Sequence, residues 1–251
     1  MNILIDENST YVGKAQWFIS HAWKYNFLEA ITIMEEFFQK EVGEGWEDTI
    51  IWFDLICNSQ HSTESKPFSW WANEFSTHLG LIGNILILSC KVDPSIYNSE
   101  QSSFQSYCFR RSWCVFEYYS SVKIGCRIEI AMASDDESNL SLQARSNSRR
   151  LFTDIRKLIN LRTAEAYQLT DKTNIQAVIE SSIGYEAVEW EVYSSLMKVF
   201  LRKLGMYDKL TVPNKDQQCA LDIIIRECFE SINTELLREH SSSSSSSCSV
   251  L

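Results

Sequence analysis

Glu117 is the acidic residue of the run Arg110-Arg111-Ser112-Trp113-Cys114-Val115-Phe116-Glu117, and its other neighbours are large and apolar: Trp113, Phe116, Tyr118 and Tyr119. One carboxylate in such surroundings can stabilise positive charge or orient a hydroxyl group. The competing reading is an ordinary acid on the exposed side of a helix. A second candidate group lies at Phe18-Ile19-Ser20-His21-Ala22-Trp23, where an apolar run ends in small and polar residues. Asp54 closes another apolar run and either binds a hydroxyl or caps the next turn. His21 is either a ligand contact or a half-buried, hydrogen-bonded loop residue. Ser89 ends a third run.

These residues need a scaffold that brings strand ends together. Residues 16–19 read as a short buried strand. Asn26 followed by Glu29 forms a capping box, and Phe27, Ile31, Met34 and Phe38 then mark an amphipathic helix of about 14 residues, broken by Gly43 and Gly45. Residues 49–53 form a continuous β-rich run, as expected of a strand buried on both faces of a parallel sheet. After a polar loop at 57–66, Pro67 opens a helix with Trp71, Phe75, Leu79 and Ile82 on one face. Residues 84–88 are a third strand, and 90–111 read as a surface loop. The Trp113 helix then runs to Gly125, and 127–133 are a fourth strand.

Residues 134–148, rich in Asp, Ser and Asn, read as a mobile linker. Leu151, Ile155, Leu158 and Ile159 mark another helix, and 166–169 a fifth strand. Beyond Asp171 the pattern is helical. Val188, Val192, Leu196 and Val199 share one face; Leu221, Ile224, Cys228, Ile232 and Leu236 share another. The alternation predicts an α/β fold, a flavodoxin-like open parallel sheet of about five strands with helices on both faces, plus a C-terminal helical extension. The expected divisions are residues 14–170, a packed helical extension at 171–240 and a disordered serine-rich tail at 241–251. Ligands of such sheets bind beyond the carboxyl ends of the strands.

Composition narrows the functional classes. The chain has 251 residues, 45% of them hydrophobic, which is enough for a full core. A net charge of −10 opposes nucleic-acid binding, which needs clustered positive charge. The start has no signal-peptide pattern, and no uncharged apolar run is long enough for a transmembrane helix. The 8 cysteines are scattered without CxxC pairs and read as reduced thiols of a cytoplasmic protein. Cys57 and His61 lack a second ligand pair, so no metal is expected. Cys248-Ser249-Val250-Leu251 fits a prenylation pattern behind a run of serines, which would make a weak lipid anchor at Cys248.

The motifs together resemble the Toll/interleukin-1 receptor (TIR) domain family over about residues 14 to 170. Phe18-Ile19-Ser20-His21-Ala22 resembles the first-strand motif of bacterial-type TIR domains. Ile87-Leu88-Ser89 followed by Trp113-Cys114 and Glu117 resembles their third strand and next helix. Asp54 falls where the family often carries an acid. Trp23 and the Asn58-Ser59-Gln60-His61 segment resemble a divergent TIR-like group of protist and algal type. Two stretches depart from the family pattern: residues 90–111 are longer than usual, and the loop after Asp54 does not match the family's BB loop.

The resemblance implies a signalling domain that hydrolyses NAD at the nicotinamide–ribose bond, with Glu117 as the catalytic carboxylate. It implies that Ser20, His21, Ala22, Asp54, Ser89 and Trp113 contact the substrate, with NAD as substrate and no further cofactor. Nicotinamide leaves as a neutral molecule from a cationic precursor, so no general acid is required, and one carboxylate suffices where ordinary glycosidases use two. Cys114 is then a packing residue. The alternative is a non-catalytic module that self-associates or binds other TIR-like domains.

Overall fold

The computed structural model describes residues 12–58, 66–90, 107–203, 205, 223, 225–231 and 234. Its centre is a sheet of four parallel strands: β1 (Trp17–Ser20), β2 (Ile51–Phe53), β3 (Asn84–Ser89) and β4 (Arg127–Met132). The order is β2-β1-β3-β4, so the chain reverses direction across the sheet between β1 and β3. Phe18 pairs with Trp52 on one side and Ile85 on the other, and β3 and β4 pair along their full lengths. Ile85, Leu86, Ile87 and Leu88 are all buried. Such an unbroken run is the mark of a strand covered on both faces. Each of these side chains contributes about 1.5–3 kcal/mol by leaving water.

Helices flank the sheet, seven of them among the described residues between 27 and 203. α1 (Phe27–Val42) begins as expected: the Asn26 side chain accepts from the backbone N–H groups of Leu28 and Glu29, and Gly43 ends it at a φ of 77°. α2 (Asp54–Cys57) is a single turn directly after β2. α3 (Phe68–Ile82) buries Phe75 and Leu79 and closes at Gly83. Phe18 stacks on Trp52 at 4.4 Å, and Phe75 meets both rings edge-on. α4 (Ser112–Ile124) is buried nearly all round, because β1, β4 and α3 meet it and two later helices cover it. Those later helices are α6 (Leu169–Ser181) and α7 (Tyr185–Lys203).

The first four expected strands and the first helices are present, with ends shifted by a residue or two. Val188, Val192, Leu196 and Val199 are buried along α7. Residues 225–231 are helical, with Ile225, Cys228 and Phe229 buried. Residues 59–65, 91–106 and the tail with Cys248 lie outside the described residues.

Three expectations are corrected. The linker expected at 134–148 is the first half of α5 (Ser134–Leu158), which bends at Asn147, a residue with non-helical φ −157° and ψ 78°. Asp135, Asp136 and Glu137 suit its N-terminal turn, and Leu140, Ala144 and Leu151 bury a thin apolar stripe. The fifth strand expected at 166–169 is absent, and Leu169 already belongs to α6. All that remains of it is one parallel bridge between Arg111 and Glu165. The end of the expected surface loop, Tyr107–Arg110, is a 3-10 turn whose Tyr107, Cys108 and Phe109 are buried.

Candidate active site

β1 carries its chain into the sheet's interior and releases it at Ser20, still buried. α4 crosses this strand end with Glu117 facing it, and the Ser20 hydroxyl donates to Glu117 Oε2 at 2.7 Å. The Cys114 thiol donates to the backbone carbonyl of His21 at 3.1 Å, fixing α4 against the loop that follows β1. Glu117 is 8% exposed, so it is not the ordinary surface acid of the competing reading. That remaining exposure opens into a cavity of about 250 Å³, which Glu117 helps to line.

The cavity lies beyond the carboxyl ends of β1 and β2, beside the point where the strand order reverses. Open α/β sheets hold their ligands there. His21 and Asp54 line it from the two strand ends, and Trp71 and Phe75 from α3. Trp113, Cys114 and Glu117 line it from α4, with Arg111 just before that helix. Tyr167, Gln168 and Asp171 come from the segment that enters α6. Trp23, Asn58 and Lys66 complete it.

Burial sets the charge states of its inner residues. Burial pushes the Glu117 carboxyl well above its usual range; the Cys114 sulfur and Asp54 add to this, while the Ser20 hydrogen bond opposes it. The unliganded site therefore favours the protonated acid, and a cation entering the cavity favours the carboxylate. Burial lowers the His21 pKa against the opposing pull of Asp54. His21 Nδ1 lies 3.4 Å from Asp54 Oδ1. That neighbour favours a proton on Nδ1 and leaves Nε2 as an acceptor. Nε2 has no hydrogen-bond partner among the described residues, although the ring is buried. Such a lone acceptor is costly without a donor from water or ligand. Trp23 Nε1 donates to the other Asp54 oxygen at 2.9 Å. A hydrogen bond with Cys108, together with burial, keeps the Cys114 thiol protonated and makes it a poor nucleophile.

The structure thus gathers five of the seven residues expected at the site. Glu117, His21, Asp54 and Trp113 line the cavity, and Ser20 reaches it through Glu117. Ala22 and Ser89 are buried and are not part of the lining. Sequence reasoning gave Trp71 only a packing role and did not single out Arg111, Lys66 or Asp171 as site residues. Nothing in the local pattern marks these residues, since the cavity joins segments about 100 residues apart. Among the described residues, no group of three or more His, Cys, Asp or Glu is placed to hold a metal ion, and no helix is long and apolar enough to cross a membrane.

The chemistry on offer is specific. Three indoles and Phe75 supply flat apolar walls, and a carboxyl and an imidazole acceptor wait among them. Such walls bind planar rings and attract cations through their π faces. Arg111 and Lys66 bring positive charge to the same cavity, both more exposed than Glu117. A ligand with a cationic ring, hydroxyl groups and an anionic portion matches this set. No family model, no curated protein and no solved structure matches the chain.

Proposed function

We propose that the chain is a TIR-like domain that cleaves NAD at the nicotinamide–ribose bond, with Glu117 as the catalytic carboxylate. The observation that carries this reading is the buried Glu117 carboxyl, held by the Ser20 hydroxyl at 2.7 Å on the wall of an aromatic cavity. The C1′–N1 bond breaks with its electron pair leaving on nicotinamide, which becomes neutral. The ribose is left as an oxocarbenium ion, and water adds to it and loses a proton. Glu117 stabilises the positive charge on the ribose as it develops. His21 Nε2 accepts from a ribose hydroxyl, and the indole walls hold the nicotinamide ring. The cavity, about 250 Å³, is a little smaller than the usual small-molecule site of ~300–1,000 Å³. It takes the nicotinamide riboside end, and the phosphates extend past Arg111 and Lys66.

The test is nicotinamide release from NAD at several protein concentrations, so that association of copies is sampled alongside turnover. Release by the unsubstituted chain and its loss in a folded Glu117→Gln variant are expected. Undiminished release by that variant would overturn the assignment. A second reading, a non-catalytic module that binds copies of itself or other TIR-like domains, draws on exposed apolar side chains. Trp23, Leu28, Tyr167 and Leu169 are all more than half exposed. It expects concentration-dependent association without nicotinamide release. Prenylation at Cys248 would add a weak membrane attachment to either reading, and mass spectrometry of the C-terminal peptide checks it.

A further inference from the structure

The aromatic wall nearest Glu117 is held by a residue from outside the sheet-forming part of the chain. Trp113 precedes Glu117 by one helical turn, so the two side chains share a face of α4, and both line the cavity. The Trp113 ring meets Phe75 and Phe116 edge-on at 5.3 and 5.9 Å and lies tilted against Phe68 at 5.4 Å. Its one polar atom, Nε1, donates to Asp171 Oδ2 at 3.0 Å. Asp171 lies in the first turn of α6 and lines the same cavity.

The position of Asp171 relative to Trp113 is fixed by backbone rather than by chance contact. The Ser112 N–H donates to the Glu165 carbonyl at 2.8 Å, and the Glu165 N–H donates to the Arg110 carbonyl at 2.7 Å. The Tyr107 hydroxyl donates to the Glu165 carboxylate at 2.8 Å. The chain entering α6 is thereby tied to the start of α4, six residues before Asp171 on one side and one residue before Trp113 on the other. Without Asp171 the half-buried indole N–H loses its acceptor and the ring must turn toward water or stay unsatisfied.

We infer that Asp171 is a positioning residue of the site: it sets the plane of the Trp113 indole so that a planar ligand ring stacked there lies against the Glu117 carboxyl. This rests on the reading of the cavity as the NAD site and adds α6 to that site as a working wall.

The experiment is calorimetric titration of NAD into chains carrying Glu117→Gln, which blocks turnover, alone and combined with Asp171→Ala, Asp171→Asn or Trp113→Phe. Asp171→Ala is expected to weaken NAD binding about five- to tenfold, the equivalent of one side-chain hydrogen bond. Asp171→Asn keeps an acceptor for the indole and is expected to stay within about twofold of the parent. Trp113→Phe removes the N–H itself, so adding Asp171→Ala to it should change nothing further. Equal weakening by Ala and Asn would make the charge of Asp171 the cause and overturn the inference. So would NAD binding unchanged by Asp171→Ala, or effects that add in the Trp113→Phe chain. Should Asp171→Ala fail to fold, Trp113→Phe decides the matter alone, and parental affinity in that chain overturns the inference. NAD binding by neither the Glu117→Gln chain nor the unsubstituted chain removes the substrate reading and this one together. The other overturning outcomes remove only this one.

Discussion

Replacing Glu117 with Gln should abolish nicotinamide release and at the same time stabilise the fold. Burial holds the Glu117 carboxyl well above its ordinary pKa of 4.5, so the folded chain binds a proton that the unfolded chain has already released. Folding stability therefore falls as pH rises from 4.5 toward the raised folded value. The slope is about 1.4 kcal/mol per pH unit while the two states differ by a full proton. Gln at this position carries no charge to desolvate and still accepts from Ser20. Above pH 4.5 the variant should therefore gain on its parent by up to about 1.4 kcal/mol per pH unit for as long as the folded carboxyl stays protonated, read as a Tm gap that opens with pH. Thermal melts of both chains from pH 4 to pH 8 measure it. Groups common to both chains cancel in the difference, so the gap should vanish near pH 4 and widen with pH. A gap independent of pH, or a variant less stable than its parent at pH 8, would refute the reasoning that the carboxyl is strained toward protonation.

Ser20→Ala removes the hydrogen bond that opposes the rise in the Glu117 pKa, so the acidic limb of the proposed nicotinamide release should move to higher pH. A pH–rate series checks this. His21 has a lowered pKa, so the folded chain resists taking up a proton there, and stability is lost as pH falls below 6.5 toward the folded value. In His21→Gln, melts at pH 7 and pH 5 should differ less than in the parent chain. Arg156 is fully buried and donates to the Ile159 carbonyl and to Glu189, at 2.7 Å for the latter. Arg156→Met leaves that carboxylate without its cation and should cost about 3–5 kcal/mol, read as a drop in the urea midpoint.

The elements that carry the site were legible because their signals are local and redundant. Residues 85–88 are continuously apolar, Asn26 caps α1, and Gly43, Gly83 and Gly125 stop three helices at positive φ. The meeting of Ser20, Asp54 and Glu117 followed from topology, since parallel strands deliver their carboxyl ends to one edge. The first half of α5 was not legible. Its apolar stripe is sparse, its Asp, Ser and Asn content favours turns, and its helicity depends on packing Leu140 and Ala144 against the core. The supposed strand at 166–169 failed for the opposite reason. Tyr167 is 91% and Leu169 75% exposed, so an apolar-looking run borders the cavity instead of filling a sheet. Asp171 and Arg111 escaped notice because a site residue drawn from a distant segment leaves no periodic trace.

Two acids in this molecule show how differently a fold treats a buried carboxylate. Glu189 is mostly buried and fully provided for: Arg156 meets one oxygen and the Leu161 N–H the other. A structural acid is expected to be satisfied in this way, because an uncompensated buried charge costs several kcal/mol. Glu117 is more deeply buried yet receives a hydroxyl from Ser20 and no ion pair with Lys, Arg or His among the described residues. Its other close influences, Cys114 and Asp54, make its ionisation harder. A residue serving stability alone at this place would be better as Gln or Met, and the aromatic neighbours would pack around either. The carboxyl is instead directed at a cavity walled by indoles, where an incoming cation would be its strongest partner. The energetic cost and the direction of the group point the same way, toward a ligand whose positive charge supplies what the protein withholds.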